Sequence, residues 1–195
     1  ALSGLLPKTE GTIMVDGAEV EMKSVSEAQN LGIALVPEDR LTEGLFLPQP
    51  IYKNISVARL DRISGRAGIL KNKDEKELSA KWVKEIGVAT KDHTLPVSTL
   101  SGGNQQKVVL AKCLATSPKV LILNGPTVGV DIGAKYDIHR LLRTLAERGM
   151  AVLVVSDDVA EVTALCDRAI IMSAGRMTGG LDSSSLNSEN LYEIA

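Results

Sequence analysis

Short, uninterrupted aliphatic runs, spaced by helical patterns, constrain this chain most. Val120–Leu123, Ala151–Val155 and Ala169–Met172 are apolar at nearly every position. Between them the spacing predicts helices from Ser101 to about Ser117, over Gly133–Arg148 and over Asp158–Asp167, with a final helix over Leu186–Ala195. The first is closed by Pro118 and the second by Gly149. A strand apolar on both sides suits a sheet covered on both faces. Strands alternating with helices predict parallel pairing through right-handed crossovers. The expected fold class is α/β.

The first hundred residues are less regular. Thr12–Val15, Asp16-Gly17 and Ala18–Met22 read as strand, tight turn and strand. Ser24, with Glu27 three residues on, opens a helix to Leu31. Ile33–Val36 is a buried-strand candidate stopped by Pro37, and residues 38–52, with Gly44, Pro48 and Pro50, read as loop. Residues 53–99 are more charged and helical in pattern, above all Lys73–Ile86, where Leu78, Trp82 and Ile86 share one face. Trp82 is expected to anchor a small helical lobe, and Gly87 to stop its helix. The chain thus divides into three segments: 1–52 and 100–195 as parts of an α/β core, and 53–99 as a helical subdomain.

Composition removes several function classes. Hydrophobic residues are 44% and charged residues 24% of the 195, a globular balance. One Trp, three Tyr and one Phe leave the core aliphatic and argue against a base-stacking nucleic-acid binder. A net charge of −2 supplies no positive field for nucleic acid or an anionic membrane. Cys113 and Cys166 are expected to be two buried thiols of a reducing compartment, and no Cys/His cluster has metal spacing. No apolar run approaches the ~20 residues of a membrane helix, and no leader pattern opens the chain. A soluble, cytosolic chain is expected.

The segment richest in chemistry is Leu100-Ser101-Gly102-Gly103-Asn104-Gln105-Gln106-Lys107. A Ser-Gly-Gly at a helix start suits an anion: the hydroxyl can cap or donate, and the glycines let a phosphate approach backbone N–H groups. With the aliphatic strand and turn downstream of it, this segment resembles the signature motif of the nucleotide-binding cassettes of ABC transporters. The Asn-Gln-Gln-Lys form is similar to cassettes that drive monosaccharide import, of the ribose, galactose and xylose type. Val120–Leu123 resembles the Walker B strand, and Pro126-Thr127 with Gly129-Val130-Asp131 the turn and D-loop after it. Gly32–Arg40 with Gly44-Leu45-Phe46 resembles the Q-loop region, and Pro37-Glu38-Asp39-Arg40 is typical of the second cassette of tandem sugar importers. Ala151–Asp158 resembles the strand leading to the switch position.

The resemblance implies an ABC-type P-loop NTPase core, with a mainly parallel sheet and a helical subdomain at 53–99. It implies ATP and Mg²⁺ as ligands, with Ser101, Gly102, Gly103 and Gln105 facing the nucleotide of a second cassette. Glu38 would be the Q-loop contact and Asp131 the D-loop acid; a solvated loop acid and a simple helix-start acid are their bland counterparts. Partners would be that other cassette and transmembrane permease subunits, met near residues 41–52 at the cytoplasmic face of the inner membrane. His93 and His139 are given structural or solvated roles, and Lys107 is divided evenly between a role and a solvent-facing position.

Four departures from the family pattern stand out. No Gly-x4-Gly-Lys-Ser/Thr phosphate loop occurs in these residues, the chain being expected to open inside or just behind the helix next to that loop, so weak cis binding of ATP is expected. Asn124 stands at the Walker B aspartate position, where an amide brings no charge to Mg²⁺. Gly125 stands at the catalytic glutamate position and cannot act as a base; such a loss costs about 10²–10⁴-fold in rate. Asp157 stands at the switch-histidine position. The chain is therefore expected to be an ATP-binding subunit, or part of one, hydrolysis-deficient alone and offering its signature motif to a partner's ATP. An inactive cassette fragment and a non-transport ABC ATPase remain the alternative readings. A sheet without its phosphate-loop strand is expected to leave Ala151–Val155 at an exposed apolar edge.

Overall fold

The computed structural model describes residues 1–60, 64 and 71–194. It divides into two units, Ala1–Leu153 and Val154–Ala195.

In the first unit β1 (Ile13–Val15) and β2 (Ala18–Val20) form an antiparallel hairpin. Its turn residues Asp16 and Gly17 both have positive φ, 51° and 79°, as a type I′ turn requires. Helix α1 (Val25–Asn30) is capped from both sides: the Ser24 hydroxyl accepts from Glu27 N–H, and the Glu27 carboxylate accepts from Lys23 N–H at 2.7 Å. Strand β3 (Ile33–Val36) then pairs in parallel with β4 (Val120–Asn124), Ile33 opposite Val120 and Val36 opposite Leu123. With β5 (Ala151–Val155) they form a three-stranded sheet of order β3-β4-β5.

Strand alternation sorts the aliphatic side chains into two layers. Ile33 and Ile122 join Met22 and Ala28 in one cluster, which the hairpin backs with Ile13, Val15 and Val20. Ala34, Val36, Leu121 and Leu123 are the alternate set, all buried. Helix α2 (Ile51–Ser56), helix α3 (Asn72–Ile86) and helix α4 (Gly102–Leu114) pack on one another, and α4 also packs on β3. Val108, Val109, Leu110, Ala111 and Leu114 of α4 are almost fully buried, which explains its weak amphipathic pattern: it is covered nearly all round. The Cys113 thiol, buried in this layer, donates to Leu35 O at 3.3 Å, and burial pushes its pKa up to about 11. Helix α5 (Ile132–Glu147) seals the core with Ile138 and Leu142.

Several local expectations change. The 38–52 loop contains a π-helical turn, Arg40–Gly44, and α2 already begins at Ile51. Asn54 explains that early start, because its amide binds Phe46 N–H and the carbonyls of Phe46, Gln49 and Pro50. Trp82 is half-buried and lines a cleft instead of anchoring the lobe. The buried residues of α3 are Glu75, Ser79 and Ile86, and Glu75 accepts a 2.8 Å bond from Ser56 Oγ on α2. That polar pair sets which face of α3 turns inward, a choice that hydrophobic periodicity misses.

The second unit contains α6 (Val159–Leu165), β6 (Ala169–Ser173), β7 (Arg176–Leu181) and α7 (Ser188–Ile194). Strand β6 pairs antiparallel with β7, through a turn whose Ala174 and Gly175 have positive φ. This corrects the parallel pairing expected for Ala169–Met172. The two glycines of β7 hide it from a β-propensity reading. Cys166 is half-buried, not buried. Among the described residues no helix is long and apolar enough to cross a membrane.

Strand β5 ends the order β3-β4-β5, and its Leu153 and Val155 are 42% and 52% exposed. An edge with apolar side chains invites association. Light scattering on a dilution series of the 195-residue chain is expected to show self-association that a Leu153→Lys, Val155→Lys variant reduces; equal scattering by both would place the sticky surface elsewhere.

Candidate functional site

Helix α4 starts at Gly102 with Ser101 as its extended cap residue, φ −63° and ψ 158°. The exposed Ser101 side chain makes no bond to the helix backbone. Its Oγ accepts from Asn104 Nδ2 at 3.0 Å, and Asn104 Oδ1 accepts from Ala89 N–H at 2.7 Å. Asn104 thus ties the serine to the chain just after α3. The first N–H groups of a helix lack intrahelical partners and carry its positive dipole end.

Both glycines are also dictated by packing. A Cβ on Gly103 would lie 2.3 Å from the Ala134 Cβ, so α4 and α5 touch there. A Cβ on Gly102 would lie 2.8 Å from an Arg40 guanidinium nitrogen and 3.0 Å from Gly129 O. Arg40 occupies this place because it donates to Val128 O at 2.7 Å and Gly129 O at 2.9 Å. Its Nε is buried without a partner among the described residues. Asp39 holds the turn that carries Arg40, accepting from Leu41 N–H, Thr42 N–H and Thr42 Oγ1. The Thr42 hydroxyl, then the Leu41 N–H, keep the Asp39 carboxyl below its ordinary pKa.

The second half of the site lies at the end of β4. Asn124 Nδ2 donates to Glu38 Oε2 at 3.1 Å. Gly125 has φ +55°, and a Cβ there would lie 2.8 Å from Val128 Cγ2 and 3.3 Å from Glu38 Cγ. Glu38, Asn124 and Gly125 are therefore neighbours, and Val128, Gly129 and Arg40 connect them to Gly102. Asp131 joins the same cluster: it caps α5, its Oδ1 accepting from Ala134 N–H at 2.9 Å, and its Oδ2 lies 3.6 Å from the Cβ position of Gly103. Gln105 is buried one turn into α4. Asp157 lies in the second unit, exposed, just before Asp158, which caps α6 through Glu161 N–H.

Lys107 is not a solvent-facing lysine. Its side chain is 13% exposed, and Nζ donates to Asp137 Oδ2 at 2.9 Å and Gly87 O at 3.4 Å. That bond holds the Asp137 carboxyl below its usual range. His93 stacks edge-on to Tyr52, with ring centroids 6.2 Å apart, in keeping with a structural role.

Chemically, the cluster joins a helix N-terminus and a serine hydroxyl to two carboxylates, Asp131, which caps α5, and Glu38, which is faced by an amide. Among the described residues no group of three or more His, Cys, Asp or Glu could hold a metal ion. At the end of β4, Glu38 beside the Asn124 amide is a weak donor set for Mg²⁺, which favours several hard, charged oxygens. Sequence reasoning missed the clamp of Arg40 and the tether of Asn104. The only signal for Arg40 was a cation next to the Pro-Glu-Asp run.

Two substitutions probe this geometry. Gly103→Ala drives a methyl into Ala134 and is expected to lower unfolding free energy in urea by about 1–3 kcal/mol; an unchanged midpoint would mean the helices part freely. Asn124→Asp replaces the amide–carboxylate bond by two facing carboxylates, which repel until a cation joins them. Isothermal titration is expected to find Mg²⁺ affinity raised by about tenfold or more over the parent.

Known proteins resemble this chain in sequence and fold. The family model described as "ABC transporter" matches residues 1–128. A ribose import ATP-binding protein of Rhizobium johnstonii is 41% identical over 197 residues, covering 100% of this chain and 38% of that protein. A xylose import ATP-binding protein of Shigella flexneri is 38% identical over 195 residues, covering 100% of this chain and 38% of that protein. The chain thus spans under two fifths of the length of these curated relatives. Among solved structures, an ATP-binding cassette of an ABC transporter aligns with TM-score 0.82 at 18% identity, over 99% of this chain and 79% of its own. A dimeric cassette in a post-hydrolysis state, bound to ADP and Pi, aligns with TM-score 0.75 at 21% identity, over 93% of this chain and 77% of its own. These likenesses establish the cassette fold, and the chain belongs to the ABC transporter family.

Proposed function

We propose that this chain is part of the ATP-binding subunit of a monosaccharide importer, and that it acts as a hydrolysis-deficient cassette. The relatives named for ribose and xylose import support the transport reading. The site supports the catalytic one. Asn124 gives Mg²⁺ no charge and Gly125 provides no base, while Ser101 and the start of α4 are intact. In this reading Ser101, Gly102, Gly103 and Gln105 complete an ATP site on a second cassette, with Asp131 beside them as the D-loop acid. Glu38 is the Q-loop contact of the chain's own site, and Asp157 stands at its switch position. The described residues of 53–99 belong to the helical subdomain. The chain sits at the cytoplasmic face of the membrane, against permease subunits.

The observation that carries this proposal is the paired loss of acid at 124 and 125 beside an intact, Asn104-tethered Ser101. The experiment is ATP turnover with Mg²⁺ by this chain alone, and by an intact homologous cassette with and without it. Negligible turnover alone is expected, together with a changed partner rate that Ser101→Ala abolishes. Turnover by the chain alone, or no effect on the partner, would overturn the proposal.

A further inference from the structure

Apart from the cluster around Ser101, the first unit contains a cleft of about 770 Å³ between the C-terminal half of α3, the end of α4 and the outer face of α5. Cavities that hold small ligands fall in the range of about 300–1,000 Å³. Its apolar surface comes from Trp82, Leu141, Leu145 and Met150, all only half-buried, with buried Ile86 and Leu114 behind them. Four aliphatic or aromatic side chains left partly open in one concavity are an unfilled apolar surface, not the scattered single exposures of an ordinary protein face.

The rim is cationic in a chain whose net charge is −2. Lys81, Lys84, Lys107, Arg140 and Arg148 line the cleft against two acids, Glu85 and Asp137. Both acids are engaged within the rim. Asp137 accepts from Lys107 and Arg140, each at 2.9 Å, and Glu85 lies 3.9 Å from Arg148. Lys84 is exposed, and Lys81 lies over the Trp82 ring, 5.3 Å from its centroid. An excess of cations around an apolar floor selects a ligand with one anionic head and an apolar body. It disfavours a neutral sugar, which offers no charge, and a cation, which the rim repels.

We propose that this cleft binds a small anionic amphiphile: an apolar or aromatic body carrying a carboxylate, sulfonate or phosphate. The body lies against Trp82, Leu141 and Leu145, and the head meets Lys84 and Arg140 at the mouth. This site is separate from the Ser101 cluster and does not depend on the transport reading.

Trp82 is the only tryptophan of the chain, so its fluorescence reports this cleft directly. The 195-residue chain is titrated with decanoate below its micelle threshold and, in parallel, with decyltrimethylammonium, which has the same tail and the opposite charge. Far-ultraviolet circular dichroism confirms an unchanged fold throughout. A saturable change of Trp82 emission with decanoate is expected, weak or absent with the cation. In a Lys84→Glu, Arg140→Gln variant, both positions being exposed, the decanoate dissociation constant is expected to rise about tenfold. Equal responses to the two amphiphiles would reduce the cleft to a merely apolar surface and overturn the proposal. No response to decanoate would also overturn it, as would a response unchanged in the variant. Binding of an acidic amphipathic helical peptide without binding of decanoate would overturn it too, in favour of a protein partner.

Discussion

Arg40 connects everything that makes this chain more than a sheet with helices on it. Its guanidinium binds two consecutive carbonyls, Val128 and Gly129, in the loop after β4, while its own backbone sits in the turn after β3. The loops at the ends of two parallel strands are thereby locked together at the carboxyl edge of the sheet, where open α/β sheets place their ligands. The same side chain takes the space that a Cβ on Gly102 would need. The start of α4 can rest against this clamp only because residue 102 lacks a side chain. Charge-assisted bonds to carbonyls are stronger than neutral ones, and Arg40 makes two of them to one loop.

Around that clamp, two residues at the end of β4 are settled by local contacts. An amide at 124 turns a potential carboxylate–carboxylate repulsion with Glu38 into a hydrogen bond. The loop after β4 is thus stable without a cation to neutralise it. Gly125, at φ +55°, adopts a backbone conformation that costs a residue with a side chain more than it costs glycine. Both residues fit their local structure, and neither offers a carboxylate to that loop.

Much of the fold was legible because the core strands are continuous aliphatic runs and the helices carry ordinary caps. Val120–Leu123 and Ile33–Val36 pair as such runs should. Ser24, Asp131 and Asp158 cap helices that their positions announce. What escaped was set by contacts across long sequence distances. The orientation of α3 depends on Ser56 meeting Glu75, and Lys107 is drawn inward by Asp137 thirty residues away. Strand β7 escaped because its glycines lower β-propensity while its partner β6 supplies the pairing. At the site, Ser101–Gly103, Glu38, Asn124, Gly125 and Asp131 were singled out by their resemblance to family motifs. Their adjacency in space rests on Arg40, whose reach from the β3 turn to the β4 loop no local pattern encodes.

Cys113 offers a way to time the separation of these layers. Its thiol is buried, bonded to Leu35 O, and its pKa of about 11 leaves almost no thiolate at neutral pH. A thiol in that state does not react with an alkylating reagent until α4 lifts from β3. The alkylation rate of Cys113 therefore measures how often the helix that presents Ser101 leaves the sheet, a clock built into the chain by one sulfur atom.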